Sequence, residues 1–264
     1  MDMFEYYGLF REEHLADRLT VAEFNIIEHL FDKYLPESGR LLDSCAGTGT
    51  FSFRFAERGY EVTAGDLITS HVDDIKADPR AVKLKKTYCA SPRNLSQFED
   101  GSFDIVISLG SIYHMSTKAE RETFIRESLR VLTPEGYLAF TYMTPIAMTL
   151  GQYFKAMRTY DNMDKLKAYR KLANVEKTHS CDMFYGMTLE EMTDLSREYG
   201  LEIETVASTY GMIYNMVNEV EAMSEEEYAA FVKGQIMTCE DPFIARYCMR
   251  GLFIGKKKPL DLFD

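Results

Sequence analysis

The chain has 264 residues, 46% of them hydrophobic and 27% charged, enough to bury the core of one α/β domain with an insertion or of two small domains. Acids outnumber bases 42 to 30, for a formal net charge of −12. That balance argues against nucleic acid as a partner, because proteins that bind it present a basic face.

Residues 12–35 carry apolar side chains at helical spacing (Leu15, Leu19, Phe24, Ile27, Leu30, Phe31, Leu35), and Pro36 and Gly39 close the segment. Arg40–Asp43 reads as a first strand. A turn bearing Gly47 and Gly49 follows, then a helix over residues 50–59 that Gly59 terminates. Tyr60–Asp66 reads as a second strand and, like the first, ends in an acid. A glycine turn lets the backbone pass close to a ligand with no Cβ in the way. An acid at the tip of the second strand can take both hydroxyls of a ribose. Together these pieces describe half of a nucleoside-binding α/β unit.

The spacing predicts a helix over 71–81, stopping near Pro79, and a weak third strand over 82–89 whose lysines suggest a sheet edge. Ile105–Leu109 is a continuous apolar run of the kind found in buried parallel strands. Ser116 or Thr117 can cap the next helix, and Glu120 stands at capping-box distance from Thr117. The turn over 133–136 leads into a strand over 137–142. Residues 146–180 read as helical, with no strand. Thr188 opens a capped helix ending at Gly200, followed by a strand over 201–208, a helix over 212–238 and a last strand over 248–255. Lys256, Lys257 and Lys258 read as a solvated cluster. Strands alternating with helices at this spacing mean a parallel sheet with right-handed crossovers. With no repeat and no low-complexity linker, residues 1–264 are expected to form one domain. Its parts are an N-terminal helical segment (1–37), a core (38–145), a helical insertion (146–187) and a completion of the sheet (188–264).

Five cysteines, odd in number and without a C-x-x-C pair, favour free thiols in a reducing compartment. The first residues lack the basic and apolar regions of a signal peptide. No apolar stretch approaches the roughly 20 residues of a membrane span. The expectation is a soluble cytoplasmic protein that does not associate with membranes.

Four stretches, in order and spacing, resemble the class I S-adenosylmethionine-dependent methyltransferases: Leu41-Leu-Asp-Ser-Cys-Ala-Gly-Thr-Gly-Thr-Phe51, Gly59-Tyr-Glu-Val-Thr-Ala-Gly-Asp66, Phe98-Glu-Asp-Gly-Ser-Phe-Asp-Ile-Val106 and Arg130-Val-Leu-Thr-Pro-Glu-Gly136. Leu109-Gly-Ser-Ile-Tyr-His114 is similar to the segment after strand 4 in a bacterial branch thought to methylate small molecules. Arg18, Glu23 and the tail over 201–255 are more loosely similar to that branch. The resemblance implies an α/β, Rossmann-like, mostly parallel seven-stranded sheet with helices on both faces and a helical lid insertion. It implies S-adenosylmethionine as cofactor and S-adenosylhomocysteine as product. Cys45, Ala46, Gly47, Thr48 and Gly49 would cradle the cofactor, with Asp43 near its ammonium group, Asp66 on the ribose hydroxyls and Leu67 against adenine. Leu109 joins this cofactor-binding set. Ser91 and Pro92 stand where many relatives carry an acid facing the adenine amine, with Asn94 a rival to Ser91. Cys45 replaces the usual glycine and is expected to fill space rather than act as a catalytic thiol.

Methyl transfer from a sulfonium is an in-line displacement whose reactive carbon the cofactor supplies. The protein has chiefly to hold the acceptor in line, and a base is needed only when the nucleophile is protonated at neutral pH. Tyr113 and His114 are the catalytic candidates, because they follow strand 4 at the edge where open α/β sheets bind ligands. His114 can serve as the base, given an ordinary pKa of about 6.5, or can instead hold backbone or cofactor carboxylate in place. Tyr113 is expected to line the pocket or contact the cofactor. His71 and His179 lack partners at metal-ligand spacing, so no metal is expected. The Tyr- and Met-rich stretch over 142–185 reads either as a lid over the acceptor or as ordinary core. Arg18 and Glu23 face the cofactor mouth or form a solvated pair.

The expected function is transfer of a methyl group to an O or N atom of a small-molecule acceptor. Alternatives are a tRNA or protein methyltransferase on the same fold, or a non-catalytic S-adenosylmethionine-binding module. A nicotinamide enzyme fits less well, since Ser52 stands where the third glycine of its turn belongs. A homodimer is left open.

Overall fold

The computed structural model describes residues 18–147, 180–181, 184–211 and 217–259. Helix α1 (Arg18–Tyr34) buries Leu19, Ala22, Ile26, Ile27, Leu30 and Phe31 along one stripe; the expected start at residue 12 lies outside the described residues. Strand β1 (Arg40–Asp43), helix α2 (Thr50–Glu57) and strand β2 (Glu61–Asp66) form the first unit. Helix α3 (Thr69–Ala77) ends ahead of Pro79, and Pro79–Lys83 is a separate 3-10 turn that Asp78 caps through the Arg80 amide. That turn takes up Val82 and Lys83, so strand β3 (Lys86–Cys89) is shorter than expected.

Strand β4 (Phe103–Ser108) leads into a 3-10 turn, Ile112–His114, and then helix α4 (Lys118–Val131), whose capping box is formed by Thr117 and Glu120. Strand β5 (Leu132–Met143) begins earlier than expected and includes the turn residues 133–136. Strands β6 (Ser180–Cys181) and β7 (Phe184–Tyr185) pair antiparallel, so a short hairpin stands at the end of a segment read as helical throughout. Most of the expected lid, residues 148–179, lies outside the described residues. Helix α5 (Leu189–Glu198) and strand β8 (Leu201–Ser208) follow as expected. Of the single helix expected over 212–238, residues 212–216 lie outside the described residues, and the rest is instead α6 (Val217–Glu221) and α7 (Glu225–Thr238), because Ser224 opens a new helix with its own capping box. Helix α8 (Pro242–Tyr247), unexpected, starts at Asp241, whose side chain accepts from the amides of Phe243 and Ile244. Strand β9 (Arg250–Lys257) completes the order.

Seven strands make one sheet in the order β3-β2-β1-β4-β5-β9-β8. Neighbours from β3 to β5 pair in parallel, while β9 runs antiparallel to both β5 and β8. Strand β3 occupies the edge, as its lysines suggested. Strand order turns back at β1, which lies between β2 and β4, and open α/β sheets bind ligands beyond the carboxyl ends of their strands at such a point.

Alternating side chains divide the core between two faces of the sheet. Leu42, Val106, Leu138 and Phe140 pack with Phe124 and Ile125 of α4 and Met192 of α5. Leu41, Val62, Ile105 and Ile107 pack with Phe31 of α1 and Phe55 of α2. Burying each such side chain contributes about 1.5–3 kcal/mol, so both helical layers are firmly seated against the strand ends. Lys257 departs from the solvated cluster expected of it. Its Nζ donates to the carbonyls of Leu129 and Leu132 at 2.7 and 2.8 Å, and burial lowers its pKa. A cation there answers the carbonyls at the C-terminal end of α4.

Candidate functional site

Asp43 ends β1 on the face covered by α2 and is 2% exposed. Its Oδ2 accepts from the Ser52 hydroxyl at 2.6 Å, whereas its buried Oδ1 has no hydrogen-bond partner. Burial pushes the carboxyl up to about 7, and nearby Asp66 adds to the rise, against the opposing pull of the Ser52 hydroxyl and the Cys45 amide. In the sequence Ser52 stands out only as a missing glycine; the signal for its role is a hydroxyl between Phe51 and Phe53 in the first turn of the helix. Cys45 to Thr48 are half-buried and Gly49 is buried. Gly47 and Gly49 have φ of 55° and 90°, a left-handed region that favours glycine. A Cβ on Gly49 would strike the Phe53 ring at 2.8 Å, but one on Gly47 would stand in open space. Gly47 is therefore the point of the turn that a ligand can approach.

Asp66 ends β2. Its Oδ2 accepts from the Gly47 amide and its Oδ1 from the Ile68 amide, both at 2.8 Å, so one side chain laces the glycine turn to the turn after β2. A carboxylate offers about four lone-pair sites, so these bonds leave capacity for ribose hydroxyls. His71 Nδ1 stands 3.3 Å from Asp66 Oδ1, an acid five residues away in sequence. Leu67 is half-buried beside Cys89, whose thiol meets the Leu67 carbonyl at 3.6 Å. The Ala90 amide donates to the Asp66 carbonyl and brings Ser91 and Pro92 to the same edge. Ser91 Oγ accepts from the Arg93 amide at 3.2 Å, and Asn94 Oδ1 from the Ser96 amide at 3.3 Å.

The turn after β4 is joined to the glycine turn by buried hydroxyls. Ser44 Oγ donates to Ser108 Oγ at 3.0 Å, and the Ser108 and Ser111 hydroxyls are 2.7 Å apart. A Cβ on Gly110 (φ 124°) would lie 3.3 Å from Tyr113 Oη and 3.8 Å from Cys45 Sγ, so the phenol and the thiol flank one glycine. Burial, with Asp66 and Asp43 nearby, pushes the Cys45 thiol well above its ordinary pKa. That suits a space-filling side chain. The rings of Tyr113 and His114 are 4.8 Å apart, and Phe184 of β7 packs on both, at 5.9 and 5.0 Å. Leu109 is partly buried and packs against the core cluster on the α1 and α2 face.

Two further departures concern residues around the site. Glu23 is buried, accepting from Thr209 Oγ1 at 2.9 Å and Arg250 Nη1 at 2.8 Å, while Arg18 joins Glu225 and lies over the Tyr228 ring. The solvated Arg18–Glu23 pair is therefore not formed. Tyr88, absent from the sequence reasoning, lies across Gly65 so closely that a Cβ there would be 2.1 Å from its ring. Its hydroxyl is buried without a hydrogen-bond partner, and burial raises its pKa, with Asp43, Cys45 and Asp66 contributing. Among the described residues, no group of three or more His, Cys, Asp or Glu side chains could hold a metal ion, and no helix is long and apolar enough to cross a membrane. Cys45, Cys89, Cys239 and Cys248 are free thiols.

Residues 42–140 match the family model described as Methyltransferase domain. YqeM of Bacillus subtilis, named as a presumptive methyltransferase, is 36% identical over 107 residues, 40% of this chain and 43% of its own length. Glycine/sarcosine N-methyltransferase of Aphanothece halophytica is 29% identical over 134 residues, 49% of this chain and 50% of its own. The chain thus spans about half the length, or less, of these curated relatives. Among solved structures, the PH0226 protein of Pyrococcus horikoshii aligns with a TM-score of 0.61 at 17% identity, over 96% of this chain and 99% of that one. At that identity the likeness is one of fold.

Proposed function

We propose that this chain, whose residues 42–140 match the methyltransferase-domain model, binds S-adenosylmethionine and moves its methyl group to an O or N atom of a small molecule. The observation that carries the reading is the meeting of Asp43, Gly47 and Asp66 where the strand order turns back. The unpartnered Asp43 Oδ1 suits the cofactor's ammonium group, and the open side of Gly47 suits its methionyl chain. Asp66 takes the ribose hydroxyls, with Leu67 and the Ser91–Pro92 turn towards adenine. When bound, the cofactor supplies an electrophilic methyl carbon. Tyr113 lines the acceptor side beside Gly110, and His114 removes a proton where the acceptor carries one. The acidic balance of the chain supports a small-molecule acceptor over RNA, as does its similarity to a glycine/sarcosine N-methyltransferase.

Calorimetry with S-adenosylhomocysteine tests the cofactor site, and the absence of binding at millimolar ligand would remove it. A labelled-methyl screen with separate metabolite, RNA and protein fractions tests the acceptor. Label is expected among metabolites; label confined to RNA or protein refutes the acceptor class.

A further inference from the structure

Arg121 is the fourth residue of α4, yet it is only 7% exposed. Its Nη1 donates to the Met115 carbonyl at 2.8 Å, and its guanidinium carbon stands 3.7 Å from the centre of the Tyr185 ring. Among the described residues it pairs with no carboxylate. Burying a cation without one is costly, and departures of this kind gather at functional positions.

What the guanidinium holds points to its role. Met115 follows directly on the Ile112–His114 turn. Tyr185 belongs to β7, whose other residue, Phe184, packs on His114 and Tyr113. From its far side Tyr185 donates to Glu191 Oε1 at 2.5 Å, and Glu191 closes the capping box of α5. The hairpin strand is thus held at one residue by the candidate catalytic turn and at the next by Arg121 and α5. A planar guanidinium can stack on a ring and donate in its own plane at once, which an ammonium cannot.

We infer that Arg121 is a positioning residue for methyl transfer: by gripping the Met115 carbonyl and the Tyr185 ring together, it sets the His114 imidazole against Phe184 on the acceptor side. This rests on the methyl-transfer reading above. The test uses the full chain and three variants: Arg121→Lys and Arg121→Met, with Arg121→Ala for chemical rescue. Imidazole proton–nitrogen NMR spectra report His114, identified by the signal lost in His114→Gln, and calorimetry reports S-adenosylhomocysteine affinity. Arg121→Lys and Arg121→Met should both move the His114 signals while affinity changes by less than about twofold. In Arg121→Ala, added methylguanidinium should return those signals towards their original positions, which a loss of general stability would not allow. Should Arg121→Met fail to melt cooperatively, Arg121→Lys decides the matter. His114 signals unmoved in a folded variant overturn the inference, as does loss of S-adenosylhomocysteine binding in the variants alone. Absence of binding in the unsubstituted chain overturns the methyl-transfer reading instead.

Discussion

Replacing Asp43 by asparagine keeps an acceptor for the Ser52 hydroxyl and removes the charge. Burial pushes this carboxyl from 3.8 up to about 7 in the folded chain. Over that interval the folded state keeps a proton that the unfolded chain has released. The resulting stabilisation is complete below the unfolded pKa and is lost as pH rises through about 7. A rise of about 3 units at about 1.36 kcal/mol each sets its ceiling near roughly 4 kcal/mol. Between about pH 5 and about pH 8 the expected loss is about 2–3 kcal/mol. At about 2–4 °C per kcal/mol for a domain of this size, Tm should fall by roughly 5–10 °C relative to Asp43→Asn. Scanning both proteins in matched buffers isolates Asp43, because every other titrating group is shared. A difference in Tm that stays flat across this range refutes the reasoning. Saturating S-adenosylhomocysteine should shrink the slope, since a bound ammonium favours the ionised carboxylate.

Asp66→Ala removes the acceptor for two backbone amides and for the proposed ribose bonds, and should weaken S-adenosylhomocysteine by about 1–3 kcal/mol in calorimetry; unchanged affinity would reject the ribose role. Gly65→Ala drives a Cβ into the Tyr88 ring and should destabilise by about 1–3 kcal/mol in urea unfolding. Adding Tyr88→Leu should recover most of that loss, whereas simple additivity of the two changes would contradict the contact. His114→Gln should leave S-adenosylhomocysteine affinity intact while slowing methyl transfer to a protonated acceptor, measured by label incorporation; full activity at neutral pH would exclude a base role.

The parts of the fold that could be read from sequence are those written in neighbouring residues. The apolar runs ending in Asp43 and Asp66, the glycine turn between them, and the Thr117 and Thr188 caps each use residues a few positions apart. Ser224 also satisfies a local capping rule, but it lies inside a stretch whose spacing reads as one helix. The antiparallel course of β9 was not legible, because it depends on which strand edge the chain meets after three helices. Nor were the hydroxyls of Ser44, Ser108 and Ser111, which look like incidental small residues in or beside apolar runs until β1 and β4 are set side by side. Glu23 finds Thr209 and Arg250 from the far end of the chain. Arg121 looked like one more charge on a helix rich in them, and only tertiary packing turns it inward.

In the free chain the Asp66 carboxylate is already clamped in orientation by amides from two separate turns. A nucleoside docking there, as proposed, would meet a rigid receptor and freeze little side-chain freedom on arrival, which favours affinity by sparing conformational entropy. The same clamp ties recognition of sugar to the shape of the neighbouring loop: any change that loosens the Gly47 amide also tilts the oxygens that would greet the ribose.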